Sequence, residues 1–310
     1  MEQRVITILG GTGFLGRYVV QQLAQDGYRL RIISRNPNND LNLYTAGHVG
    51  QIALIAGDIT KPESYVSSLA GSYAVVNLVG ILFESGKQKF STIHSLGAEK
   101  LAIAAQAAGV KRFIQISALG VEHEHGSNYA RSKILGERAV LSAFPTATIL
   151  RPSVIFGAED NFFNKFAKMT NISPALPLIS GGKTLFQPVY VADVAAAIKT
   201  CLAKDETQGQ IYELGGLRTY SFKQILEYIL KLTAKKRFLI PIPFGLASFI
   251  GKIAELFPHP MITSDQVKLL KYNNVVNHSA KTFAHLGITP TSAETIVPEY
   301  LAIYRKKTAT

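Results

Sequence analysis

A short apolar run, Val5-Ile6-Thr7-Ile8-Leu9, that breaks at once into Gly10-Gly11-Thr12-Gly13-Phe14-Leu15-Gly16 constrains this chain more than any other stretch. The run reads as a buried strand and the spaced glycines as a turn into a helix. Such a turn lets backbone approach a dinucleotide pyrophosphate, and its last glycine, Gly16, lets the helix pack closely on the sheet. The helix predicted over 14–26 aims its positive N-terminal end at the anion. Gly10, Thr12, Gly13, Phe14, Leu15 and Gly16 are therefore candidate cofactor contacts.

Strands and helices then alternate in the βαβ manner. The spacing predicts strands over 29–33, 52–56, 74–78, 112–117 and 147–150, with helices over 62–69, 90–108 and 129–142. The fold class expected is α/β: a Rossmann-type doubly wound parallel sheet with a smaller mixed C-terminal lobe. Residues 1–157 form the dinucleotide-binding domain and 158–310 the partner or substrate lobe, with 184–215 returning to the first domain. The second strand ends at Ser34-Arg35, where an NAD-selective site usually carries an acid for the ribose 2′-hydroxyl. Ser34 can hydrogen-bond a 2′-phosphate and Arg35 can grip it, so NADP(H) is expected in preference to NAD(H). Arg17 is a further candidate cation. Asp58 and Ile59 follow the third strand at the adenine edge, and Asn77-Leu78-Val79-Gly80 closes the fourth beside the ribose.

The chain has 310 residues, enough for a large core, and one cysteine, Cys201, which excludes an internal disulfide and fits a reducing compartment. The first strand starts at Val5, leaving no room for a targeting peptide in this reading, and no apolar run is long enough to span a bilayer. A cytoplasmic protein is expected, peripheral at most on the inner face of the membrane. The formal charge of +12 points to an acidic partner or an anionic membrane face. Basic residues are scattered without aromatic interleaving, which disfavours nucleic acid.

Tyr129-Ala130-Arg131-Ser132-Lys133 opens a predicted helix. Four-residue spacing puts phenol and ammonium on one face, where the lysine can lower the tyrosine pKa while the tyrosinate exchanges a proton with substrate. With the glycine turn, Asp58 and Arg151-Pro152-Ser153-Val154-Ile155-Phe156-Gly157, this motif resembles the extended or atypical short-chain dehydrogenases/reductases, and the NAD-dependent epimerases/dehydratases among them. A finer resemblance covers nearly the whole chain. Asn77 to Glu84, Arg151-Pro152-Ser153, Gly157 to Phe163 and Gln187 to Val194 are similar to the nucleotide-binding accessory subunits of respiratory complex I (NADH:ubiquinone oxidoreductase) and their bacterial relatives.

The resemblance implies tightly bound NADPH that stabilises a docking protein in a membrane-associated respiratory or quinone-biosynthesis complex. It also places Pro152 and Ser153 at the cofactor, Tyr129 and Lys133 at its ribose and reacting end, and Ser117 near the nicotinamide. Leu119 falls where active relatives carry the catalytic Ser or Thr, and Val154 where sugar-nucleotide enzymes place Asn. The alternative is a free NADPH-dependent reductase or epimerase-like enzyme acting on a small carbonyl or quinone-related substrate.

In the C-terminal half, helices are expected near 161–171, 191–202, 222–232 and 295–305, with short strands near Leu185 and Ile211. Asp193 is expected to be structural, in the first turn of its helix. Residues 238–257 carry Leu246, Phe249, Ile250, Ile253, Leu256 and Phe257 at helical spacing, which fits either a helix packed on the core or a docking surface. Glu122-His123-Glu124-His125 lacks a defined third ligand, and no metal is assigned.

Overall fold

Residues 74–77 and 112–116, Ala-Val-Val-Asn and Arg-Phe-Ile-Gln-Ile, are buried along their whole length, as befits the middle of a parallel sheet covered on both faces. The structure, a computed structural model, describes residues 4–123, 126–255, 257, 260 and 262–305. In chain order the elements are β1 (Val5–Leu9), α1 (Phe14–Gln25), β2 (Arg29–Ser34), β3 (Ile52–Ala56), β4 (Ala74–Asn77), α2 (Ala98–Ala107), β5 (Arg112–Ile116), α3 (Asn128–Ala143), β6 (Thr148–Pro152), β7 (Ile155–Phe156), α4 (Phe163–Ile172) and β8 (Ala175–Ile179). There follow β9 (Leu185–Phe186), β10 (Val189–Tyr190), α5 (Val191–Ala203), β11 (Ile211–Leu214), β12 (Tyr220–Ser221), α6 (Phe222–Thr233), β13 (Phe238–Ile242), α7 (Phe244–Ala254), α8 (Ser264–Leu269), α9 (Phe283–Leu286) and α10 (Ala293–Leu301).

The main sheet has seven strands in the order β11-β6-β5-β4-β1-β2-β3, all parallel. Strand order reverses between β1 and β4, and in such sheets ligands bind at the carboxyl ends beside that switch. One face is covered by α1 and α5 over Ile6, Ile8, Ile32 and Val76, the other by α2 and α3 over Val75, Phe113 and Ile149. A third, phenylalanine-rich core gathers Phe156, Phe163, Phe186 and Phe222 with α6 and α10.

Three local expectations need correction. Residues 62–69 are two short 3₁₀ pieces, Pro62–Ser64 and Val66–Leu69, not one helix. The Ser64 hydroxyl is spent on the carbonyls of Lys61 and Asp58, and a segment this short cannot offset the cost of helix nucleation. The helix expected over 90–108 starts as a π-helical turn, Ser91–Gly97, before α2. Residues 238–242 form β13, paired in parallel with β8, a strand pair without a sequence signal; Pro241 is tolerated there because a two-stranded sheet is all edge.

Segment 244–254 is helical as expected, but its apolar stripe faces outward. Only Ala247 and Gly251 are buried, against α8, while Leu246, Phe249, Ile250 and Ile253 are exposed. Leu256 lies outside the described residues.

Two helical segments approach closely at Gly136 on α3, where a Cβ would overlap the His94 carbonyl oxygen. Helix propensity alone favours Ala over Gly by about 1 kcal/mol. Gly136→Ala is nevertheless expected to lower unfolding stability, by roughly 1–3 kcal/mol, in a urea titration; a stabilised variant would show that the two backbones are not in contact.

Candidate functional site

The glycine turn closes because Gly10 sits at φ +80°, a left-handed conformation, with its Cα facing the Leu78–Val79 backbone. At Gly16 a Cβ would overlap the Gly10 carbonyl oxygen and the Gly11 backbone, so the first turn of α1 lies directly on the loop. Gly13 is the N-cap, and among the described residues no side chain caps the helix. Its first N–H groups remain available to an anion. Arg17 does not reach toward that anion. It donates to the Thr12 carbonyl (2.7 Å) and pairs with Glu159, fastening the turn to the loop after β7.

A cavity of about 380 Å³ runs from this turn across the carboxyl ends of β2, β3 and β4, bringing together Gly10, Thr12, Gly13, Ser34, Arg35, Asp58, Ile59, Leu78, Val79 and Gly80. Phe14, Leu15 and Gly16 stand behind it: the Phe14 ring meets Tyr18 edge to face, and Leu15 packs on the core. Asn77 is buried and supports the wall, donating to Gln115 (2.9 Å) and accepting from the Val79 N–H (3.2 Å). The Asp58 carboxylate accepts from the Thr60 N–H and hydroxyl through Oδ1.

One acid without a sequence signal stands beside Ser34 and Arg35. The Ser34 hydroxyl donates to Asp40 Oδ2 (3.3 Å), and Asp40 lines the same cavity as Arg35. Asp40 lies six residues past the strand end, in a loop whose path no local pattern reveals.

At the other end of the site a Cβ on Gly80 would lie 3.3 Å from Lys133 Nζ and 3.6 Å from His94 Nε2. Lys133 is buried, donates to the Ile116 carbonyl (3.3 Å) and holds Nζ 5.9 Å from the Tyr129 ring centre. Burial pulls its pKa down to about 8 despite the opposing charge of Glu137, while burial pushes Tyr129 up to about 12. The Ser117 hydroxyl is buried and has no hydrogen-bond partner among the described residues. Leu119 is buried and its N–H donates to the Pro152 carbonyl.

His94, to which no sequence motif points, sits at the centre of this end of the site. Its ring stacks on Phe90 and meets Tyr129 edge to face at 5.4 Å. Nε2 accepts from the Ile81 N–H (3.0 Å), so Nδ1 carries the proton and donates to Ser132 (2.9 Å), whose hydroxyl donates to the Tyr129 carbonyl. Burial first, and the Lys133 charge second, push its pKa down to about 2.

Pro152 and Ser153 are not at the cavity wall. The Ser153 hydroxyl donates to Asn274 Oδ1 (2.5 Å), and Asn274 in turn donates to the Leu119 carbonyl (3.0 Å), tying the ends of β5 and β6 to a distant loop. Arg151 forms a bidentate pair with Glu137 (3.0 and 2.7 Å) and bridges Glu122 (3.1 Å). Glu124 and His125 lie outside the described residues, and no group of three or more metal-capable side chains occurs among those described. Asp193 accepts from the N–H and hydroxyl of Thr291, a structural tie. A second cavity, about 570 Å³, opens beyond Tyr129 between Phe90, Asn128 and the α7–α8 region.

The residues present suit a dinucleotide: a helix N-terminus without a side-chain cap among the described residues, a turn with no space for a β-carbon at Gly16, and a buried Ser117 hydroxyl with no partner among the described residues. Residues 6–215, from β1 through β11, match the model of the NAD dependent epimerase/dehydratase family. The chain belongs to that family. Among its relatives is the mitochondrial NADH dehydrogenase (ubiquinone) 1 alpha subcomplex subunit 9 of Arabidopsis thaliana, 35% identical over 97% of this chain and 78% of its own. The Ceramide reductase of Caulobacter vibrioides is 31% identical over 77% of this chain and 74% of its own. In fold, the NADPH-dependent quinone oxidoreductase QOR2 of Escherichia coli, solved with NADPH, aligns with a TM-score of 0.74 at 22% identity, covering 95% of this chain and 99% of that one.

The buried imidazole makes stability pH-dependent. Its folded pKa lies below the unfolded value of 6.5, so the unfolded state binds the extra proton and stability falls as pH drops through that range. Between pH 7 and 5 the loss from this group should be on the order of 2 kcal/mol. His94→Gln should flatten that limb in chemical denaturation; an unchanged slope would show that His94 titrates normally.

Proposed function

We propose that this chain is an NADP(H)-binding accessory or assembly protein of membrane-associated, quinone-linked respiratory machinery, with the nucleotide serving mainly to stabilise the docking fold. Its place is the cytoplasm, peripheral to the inner face of the membrane. The observation that carries this reading is the reacting end of the site. Tyr129 is held far on the protonated side of neutral pH, and Leu119 stands where a proton-relaying hydroxyl is expected. The name of the Arabidopsis thaliana relative supports the choice of machinery.

The uncapped helix α1 would hold the pyrophosphate, and Lys133 with Tyr129 would hold the ribose next to the nicotinamide, whose own chemistry is hydride transfer. Ser117 would supply the nicotinamide end with a hydroxyl that has no other partner among the described residues. At the adenosine end, Arg35 makes no ion pair among the described residues and is free to grip a 2′-phosphate. Asp40 opposes it, which narrows the preference over NAD(H).

The second reading is a free NADPH-dependent reductase acting on a carbonyl or quinone-related substrate. The cavity beyond Tyr129 and the name of the Caulobacter vibrioides relative favour it.

Titration should find NADPH bound more tightly than NADH. Arg35→Ala should remove most of that preference, about 1.5–3 kcal/mol for a charge-assisted bond, and Asp40→Asn should widen it. Equal affinities in the parent protein would refute the NADP(H) assignment.

Tyr129→Phe should weaken nucleotide retention and leave a folded protein. Rapid NADPH oxidation with carbonyl or quinone substrates, abolished by Tyr129→Phe, would instead establish the reductase.

A further inference from the structure

The β13–α7 segment presents apolar side chains to solvent that the fold does not use. Phe238 is 77% exposed, Phe249 61% and Phe257 65%, and Ile240, Leu246, Ile250 and Ile253 are each at least two-fifths exposed. Helix α7 is fixed to the body by Phe244 at its start, packed with Ile179, Ala247 and Val267, and by its small residues: a Cβ at Gly251 would lie 2.6 Å from the Ser264 N–H nitrogen. The bulky residues on its other side are left about half exposed, a patch of the kind that marks an interaction surface.

The charges around this face select its occupant. Between residues 231 and 271 the chain carries seven Lys and Arg against two carboxylates. Neither carboxylate is free. Glu255 accepts from Ser264, and Asp265 accepts from the Ser127 hydroxyl and the N–H groups of Asn128 and Tyr129 at the start of α3. Lys236, Lys252 and Lys271 are exposed, and Lys271 lies over the Phe244 ring, 5.8 Å from its centre. Phenylalanines and isoleucines rimmed by lysines, on a helix too short to span a bilayer, are the makeup of an element that lies in a membrane interface.

We infer that the β13–α7 face docks on an anionic lipid bilayer, with α7 in the interfacial plane, its apolar side chains in the headgroup–acyl boundary and the flanking lysines on the acidic headgroups. This deepens the proposed function and rests on its reading of the chain as part of membrane machinery. The 570 Å³ cavity is lined by Glu255 and Phe257, just past α7, so docking by this face sets the cavity mouth near the lipid surface.

The test is flotation of the purified full chain with vesicles, one set of phosphatidylcholine alone and one with about a third phosphatidylglycerol, enough for the electrostatic attraction that basic segments feel. The protein should float with the anionic vesicles and much less with the neutral ones. Salt at about 1 M, where screening shrinks to roughly 3 Å, should weaken the binding. The double variant Phe249→Ser/Ile253→Ser and, separately, Lys236→Glu/Lys252→Glu should each bind anionic vesicles at least roughly tenfold more weakly. Both should keep the parent melting temperature and NADPH affinity, because these side chains are exposed.

Failure of the parent to float with either vesicle overturns the inference and leaves the face to a protein partner. Undiminished binding by both variants overturns it equally, since the lipid contact would then lie elsewhere. The reading beneath it is tested separately, by whether the chain co-purifies from native membranes with respiratory subunits; that result can fail while flotation succeeds.

Discussion

The contact on which the rest of the structure depends is backbone on backbone: the first turn of α1 resting on the Gly10–Gly11 peptide, with no space at Gly16 for a β-carbon. A helix set this close to the sheet aims its uncapped N–H groups along the carboxyl ends of β1 and β4. The same approach lets α1 pack on α5 and close one face of the sheet. The geometry of the glycine turn and the closing of that face of the core are thus one steric requirement, met by the absence of a β-carbon at Gly16.

The far end of the site is governed by burial. Lys133, His94 and Tyr129 are crowded beneath Gly80, and desolvation pushes each away from its charged form. The hydrogen-bond chain from Ile81 through His94 and Ser132 to the Tyr129 carbonyl fixes a neutral imidazole tautomer and anchors the start of α3.

Long-range ties then join the C-terminal half to this frame. Asn274 links the ends of β5 and β6, Asp265 caps α3, and Tyr300 donates to Asp160 in the loop before α4. Each is a buried or half-buried polar group satisfied by a partner more than a hundred residues away. Such bonds contribute modestly to stability when made and cost more when broken, so they act chiefly to fix where the lobe sits.

The glycine turn, the alternation of strand and helix and the placing of Tyr129 and Lys133 one turn apart were legible in the sequence because each is local: glycine spacing, apolar periodicity and a four-residue helical step carry their own geometry. What no local pattern carries is which surface a stripe meets. The stripe of α7 reads equally as core or as docking face, and only the packing of Ala247 and Gly251 on α8 turned Phe249 and Ile253 outward. Asp40, His94 and Asn274 were invisible for the same reason. Their roles come from partners brought near by loop paths and sheet order, which depend on the sum of many weak contacts across the chain. The sequence by itself determined a dinucleotide-binding α/β fold; the tertiary structure decided which polar groups complete the site and which apolar face was left uncovered.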